Sequence, residues 1–298
     1  MITKKLLVFI LVSAMQVAFL AKDIAKEILG YDLYSKTERN IFMTQLQCFY
    51  MGRVIRRILR MKYNKKIWFF LPMRCLLFVV AFSFCSIITK RNLTELTHWW
   101  TILASVINLV TIVVLWIICK CGNTTFREMI HYEKKQRNIF KGFLFIVIML
   151  LLGIGGMYLA GVFCYGEFPY LAPMMIAPIA PYLAILNIFI LPLTTTIAEE
   201  GVYLGYGVNS FASKWAAIFI PAFFYALQHS FIPTIFDLEF ITYRFLSFFP
   251  LTIWICFQYY RGSSISYIMT GHWILNIATT IQIVITSFHP EIYSTLIK

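Results

Sequence analysis

Eight stretches of this sequence are apolar over nearly the length, or the full length, needed to cross a bilayer. They are 6–21, 67–88, 99–119, 142–164, 171–193, 214–231, 245–260 and 264–287. Crossing the hydrocarbon as a helix takes about 20 predominantly apolar residues, so the first and seventh runs are short. A barrel strand would instead show alternating segments of about 10 residues, and these runs do not alternate. In lipid every backbone N–H and C=O must find an internal partner, which a helix supplies by itself. The expected fold is therefore all-α, a polytopic transmembrane helical bundle of about eight helices. Composition agrees. Of the 298 residues 60% are hydrophobic and 13% are charged, against about 25% charged in soluble domains. Those figures exclude a disordered chain, a fibrous protein and an ordinary soluble enzyme.

The net charge is +13. No nucleic-acid motif interrupts the apolar runs, so nucleic acid is not an expected partner. Lys and Arg gather in cytoplasmic loops of membrane proteins, and that accounts for the excess. Residues 22–66 hold 11 Lys and Arg, and residues 120–141 hold six. With eight spans these loops face the cytoplasm and both termini lie outside. Lys90, Arg91 and Arg244 read as loop cations of the opposite side, and Arg74 sits just inside the second run. Within 51–62, Met51, Val54, Ile55, Ile58 and Leu59 share one helical face, with Arg53, Arg56, Arg57 and Arg60 on the other. Such a segment anchors topology or lies on anionic lipid. The first run follows Lys4 and Lys5 as in a signal peptide, but Phe19-Leu20-Ala21 is a poor small-x-small cleavage site, which favours a retained helix. The seven cysteines (Cys48, Cys75, Cys85, Cys119, Cys121, Cys164 and Cys256) form no CxxC pair and read as small hydrophobes. Pro173, Pro178, Pro181 and Pro192 predict a broken fifth span, with a helix restarting near Thr194.

Residues 1–165 are apolar and basic, whereas 166–298 collect polar residues within apolar runs, which suggests an N-terminal helical part and a C-terminal core. An ionisable group at membrane depth is expensive and so is a functional candidate. Glu199 and Glu200 lie in Thr194-Thr195-Thr196-Ile197-Ala198-Glu199-Glu200-Gly201. His229 ends the run that begins at Phe223, and His272 lies in the last span. On a helix His272 and Asn276 share a face, being four apart. Two hydrogen-bond donors aimed at one dry spot can stabilise an oxyanion, but a His/Asn pair can equally bind a neighbouring helix. The glutamates suit a general base acting on water, or else a helix end at the aqueous boundary. Adjacent helical residues point about 100° apart, so the two need not face one cavity. Alone, His229 reads equally as an interfacial histidine. Gly201 and Gly205, like Gly153, Gly155 and Gly156, read as sites of close helix packing.

Taken in order, Glu-Glu, then His, then His-x-x-x-Asn on successive helical segments resembles the CPBP family of CAAX proteases and bacteriocin-processing membrane proteins. That family's pattern is EExxxR, FxxxH and HxxxN. Glu199-Glu200 match the start of the first block, Tyr225 to His229 the second with Tyr for Phe, and His272 to Asn276 the third. The resemblance covers about residues 190–290. Leu204 stands where the family has its arginine, a residue that would pair with or orient the carboxylates.

The resemblance implies an intramembrane endopeptidase working without a cofactor. Glu199 would act as general base on a water that His229 helps to hold. His272 and Asn276 would form the oxyanion site, and Glu200 would be a supporting carboxylate. One Glu and two His also make a plausible zinc set, although HExxH is absent. The expected partners are the lipid bilayer and a lipidated peptide, a leader peptide or a membrane-protein substrate, and the expected location is a bacterial cytoplasmic membrane. Leu204 motivates the alternative of a non-catalytic scaffold or bacteriocin-immunity protein on the same fold. A transporter or proton relay is a third class. It is opposed by the absence of an inverted repeat and of paired broken helices.

Overall fold

The computed structural model describes residues 63–132, 138–168 and 172–296. The first apolar run, the 51–62 segment and Cys48 lie outside these residues. The described residues are helical and contain no strand. In chain order the helices are α1 (Tyr63–Phe70), α2 (Met73–Thr89), α3 (Trp100–Cys121), α4 (Phe126–Met129), α5 (Ile139–Tyr165), α6 (Pro181–Glu199), α7 (Lys214–His229), α8 (Leu238–Tyr260), α9 (Ile265–Phe288) and α10 (Pro290–Leu296). A π-helical segment, Glu200–Gly207, continues α6 without a break. Six stretches are long and apolar enough to cross a membrane: Ile67–Thr89, Leu93–Cys121, Ile139–Tyr165, Pro181–Ser210, Leu238–Tyr260 and Ile265–Phe288. The chain is an all-α integral membrane protein.

Local chemistry sets the helix ends. The Asp237 carboxylate accepts the Phe240 N–H at 2.7 Å and starts α8. That makes α8 a full-length span, longer than the run 245–260 read from hydropathy alone. Asn138 accepts the Lys141 N–H in the same way and starts α5. Gly166, at φ +69°, ends α5 in the left-handed conformation that glycine adopts without a steric penalty. Before α4, the Thr125 hydroxyl accepts the Glu128 N–H while the Glu128 carboxylate accepts the Thr125 N–H. The Thr125 N–H, with the Thr125 and Thr124 hydroxyls, holds the Glu128 carboxyl below the usual carboxylate range.

The fifth run, 171–193, is in two pieces, but the helix starts at Pro181 and does not restart near Thr194. Pro173 opens a short 3₁₀ turn outside the span, and Pro181 takes the first position of α6, where its missing N–H costs nothing. Pro192 lies inside an unbroken helix, and Thr194 is mid-helix. The proline removes the bond to the Ile188 carbonyl, and the helix runs on through it. The Thr196 hydroxyl donates to the Pro192 carbonyl at 2.6 Å.

Each long helix packs on two others, in the sequence α3, α6, α9, α5, α8, α7, α2 and back to α3. Lipid tails are as apolar as leucine, so close packing replaces hydrophobic burial as the force between such helices. Small residues mark the seams. A Cβ on Gly156 would collide with the Ser247 carbonyl oxygen of α8, and one on Gly271 would meet the Met149 sulfur of α5 at 2.5 Å. Gly153 is in ordinary contact with Leu275, whereas Gly155 faces open space, so the packing role read from the sequence does not extend to it. Large apolar side chains such as Leu76, Ile87, Leu159, Phe163 and Phe189 point outward, as lipid-facing residues do. The π segment runs against α3, α4, α7 and α8 and is buried along its whole length.

Candidate active site

Glu199 is the last residue of α6 and Glu200 the first of the π segment. Stretches with i→i+5 bonding are rare and cluster at functional sites. The segment is held close to its neighbours by its glycines. A Cβ on Gly201 would come within 2.5 Å of Leu115 and 2.9 Å of Phe126, and one on Gly205 within 2.8 Å of Ile130. This packing agrees with the sequence reading. Both glutamates are almost wholly inaccessible, Glu199 at 1% and Glu200 at 0%. They do not sit at an aqueous boundary.

The two carboxylates converge on one imidazole from α9. His272 Nδ1 lies 2.8 Å from Glu200 Oε1, and His272 Nε2 lies 3.7 Å from Glu199 Oε2. One ring nitrogen is bonded by Glu200 and the other faces Glu199, despite the divergent directions of the two glutamates along the helix. Tyr225, on α7, completes this side. Its hydroxyl donates to Glu200 Oε2 at 3.3 Å and lies 3.2 Å from His272 Nδ1. The Tyr225 ring stacks on Tyr203 with centroids 4.5 Å apart. Where the family pattern has Phe, the extra oxygen therefore touches both members of the Glu200–His272 pair.

On the other side stands Arg74 of α2, which is completely buried. Its Nε donates to Gln228 Oε1 at 2.6 Å, Nη1 to Thr111 Oγ1 at 3.0 Å, and Nη2 to Asn108 Oδ1 at 2.8 Å and Glu199 Oε1 at 3.0 Å. Asn108 in turn donates to Thr195 at 2.7 Å and Thr194 at 3.3 Å, and the Tyr203 hydroxyl donates to Gln228 Oε1 at 3.2 Å. Glu199 Oε2 is buried with no hydrogen-bond partner within the protein. The expected arginine position, Leu204, is buried in the apolar cluster with Ile130, Val208, Ala217 and Ile218. Thus the cation beside Glu199 comes from a different helix.

The remaining sequence candidates are nearby but differently engaged. The Asn276 amide donates back to the His272 carbonyl at 3.1 Å, which leaves its second N–H to spare. His229, the last residue of α7, stacks on Phe248 at 3.8 Å, and no bond joins its ring to either glutamate. Arg244, read from the sequence as a loop cation, is a buried residue of α8. It donates to the carbonyls of His229 and Ile232 at 3.3 and 3.1 Å. A cation suits those carbonyls, which are left over where a helix ends. Among the described residues no three His, Cys, Asp or Glu side chains are grouped so as to hold a metal ion.

Sequence reasoning missed Arg74, Gln228, Asn108 and the Tyr225 hydroxyl. A signal for Arg74 was present, since a guanidinium inside an apolar run is as expensive as a carboxylate there.

No curated protein and no solved structure matches the chain. One family model does, and it covers the stretch that carries Glu199, Glu200, His229, His272 and Asn276. Over residues 181–278, about a third of its length, the chain matches the Rce1-like family, described as type II CAAX prenyl endopeptidase Rce1-like, and the resemblance to the CAAX proteases read from the sequence holds there.

Proposed function

We propose that this chain is an intramembrane endopeptidase that cleaves a peptide bond of a lipidated, leader or membrane peptide in a bacterial cytoplasmic membrane. The observation that carries the reading is the meeting of Glu199, Glu200 and His272 in a buried cluster, with Glu199 Oε2 unpartnered beside His272 Nε2. In this reading Glu199 Oε2 takes a proton from water as the water oxygen attacks the scissile carbonyl carbon. The Nε2–H of a protonated His272 donates to the oxyanion so formed, and the spare N–H of Asn276 can join it. Glu200 accepts the Nδ1–H and fixes the ring's orientation, as the carboxylate of a catalytic triad does. Collapse of the tetrahedral intermediate breaks the C–N bond, and the proton held on Glu199 passes to the departing amine. His229 would contact the water or the substrate from the end of α7. A binding step alone could use the same fold.

The test compares wild type with Glu199→Gln in cells, by mass spectrometry of secreted and membrane peptides. The substitution preserves shape and removes the base. We expect a peptide product to disappear while the protein persists in the membrane. An unchanged peptide profile with biological function intact would refute proteolysis.

The placement of Asn276 and His229 favours a second reading. One is turned onto its own helix and the other is stacked on an aromatic ring, so two of the five matched residues make no direct bond to the glutamates. A non-catalytic scaffold, or a protein conferring immunity to a bacteriocin, would need only the fold. It would tolerate Glu199→Gln and fail on substitution of its outward helix faces.

A further inference from the structure

A carboxylate has two oxygens, and only one of them can be the base that faces a reacting water. In Glu199 the two are not equivalent. Oε1 is bonded to Arg74, and Oε2 is buried, unpartnered and turned to His272. Arg74 itself has almost no freedom. It lies 125 positions before Glu199 in the chain. Its guanidinium is held by Asn108 and Thr111 of α3 and by Gln228 of α7, as well as by Glu199 of α6. A planar fork with fixed N–H directions imposes an orientation on its partners that a point charge cannot. None of these bonds involves Glu200, so the two carboxylates are held by different partners: Glu199 by Arg74 and Glu200 by His272.

We propose that Arg74 is the positioning residue for Glu199. Its clamp on Oε1 aims Oε2 at the space beside His272 Nε2. All three guanidinium nitrogens of Arg74 bond protein side chains, so Arg74 acts through Glu199. The consequence for turnover rests on the proteolytic reading, whereas the hold on Glu199 stands on geometry alone.

The experiment uses the full chain in lipid nanodiscs, as Arg74→Met and Arg74→Lys, each with and without Glu199→Gln. Infrared difference spectroscopy reads the carboxyl state. We expect Arg74→Met to show a stronger protonated-carboxyl stretch than wild type at the same pH, the increase disappearing when Glu199→Gln is added. Arg74→Lys keeps the charge but not the fork, so the Glu199 carboxyl bands should shift in frequency with a smaller change in protonation. Turnover is read with a quenched-fluorescent peptide ending in a prenylated cysteine motif. We expect kcat to fall about a hundredfold in Arg74→Met, the scale of a misplaced reacting group, with KM little changed and Arg74→Lys intermediate. A wild-type carboxylate spectrum in either folded variant would overturn the proposal, and Arg74→Lys decides alone if the methionine variant does not fold. If the spectra change as described, the clamp stands; if wild type also cleaves no such peptide and the cellular peptide profile is unchanged by Glu199→Gln, the proteolytic reading falls separately.

Discussion

Tyr225→Phe removes one oxygen and leaves the ring, including its stack on Tyr203, in place. The lost oxygen donates to Glu200 Oε2 at 3.3 Å and lies 3.2 Å from His272 Nδ1. Two magnitudes compete. Hydrogen bonds to charged groups contribute about 1.5–3 kcal/mol, whereas interhelical bonds in membranes average about 0.6 kcal/mol, because the separated helices find other partners. Here the acceptor is a fully buried carboxylate, which argues for the first scale. The distance is at the long end for an O–H donor, which argues for its lower edge. The expected loss is about 1.5 kcal/mol, or roughly tenfold in an equilibrium or rate that depends on the Glu200–His272 pair. Unfolding in mixed detergent micelles measures the first, and peptide cleavage the second. A cycle with Glu200→Met, which removes the acceptor, isolates the pairwise part, since contacting residues couple and distant ones do not. Losses that simply add in the double variant would mean that the Tyr225 hydroxyl and Glu200 do not interact, and the argument would fail.

Two neighbouring glycines make a sharper packing test. Gly156→Ala drives a methyl into the Ser247 carbonyl of α8, a backbone atom that cannot swing aside. Overpacking of that kind costs about 1–3 kcal/mol, to be seen as earlier unfolding in detergent. Gly155→Ala, one residue away and facing open space, should be neutral or slightly stabilising, since alanine is the better helix former; equal effects at both sites would contradict the helix contact. At Glu128 the prediction concerns pH. Its carboxyl is held below the usual range, so the capping box contributes fully above the unfolded carboxylate value and is lost as the pH falls through the depressed one. Amide exchange at residues 126–130 should rise over that acid interval in wild type. Thr125→Val should move the onset to higher pH, and an unmoved onset would remove the assigned cause.

The spans were legible because lipid leaves a chain little choice: a backbone without water must be helical, and an apolar run announces this by length alone. The five motif residues were legible through their order. What hydropathy could not supply was the meaning of the cations inside those runs. Arg244 was counted as a marker of orientation and Arg74 was placed just inside a run with no role, yet Arg74 clamps a carboxylate and Arg244 caps the carbonyls at the end of α7. The counting rule weighs charge near a membrane surface and is blind to partners over a hundred positions away. Pro192 misled for a related reason. It lies buried in a helix packed between α3 and α9, and proline read alone says break. The π segment left no pattern to find, since its eight buried residues differ from an α-helix only in which carbonyl each N–H reaches. The meeting of both glutamates on His272 was likewise invisible, because it depends on how α6 and α9 are set against each other.

The ion pair between Arg74 and Glu199 also bears on what counts as a separable module. The stretch shared with other proteins begins at residue 181, yet the countercharge for its first glutamate lies on α2 and is steadied by α3. Removing one member of a buried pair costs about 3–5 kcal/mol, because the survivor stays buried with nothing to offset it. A change at residue 74 and a change at residue 199 are therefore energetically coupled. The working unit is the pair, and a graft that transplanted the recognisable third onto foreign helices would carry a carboxylate without its cation.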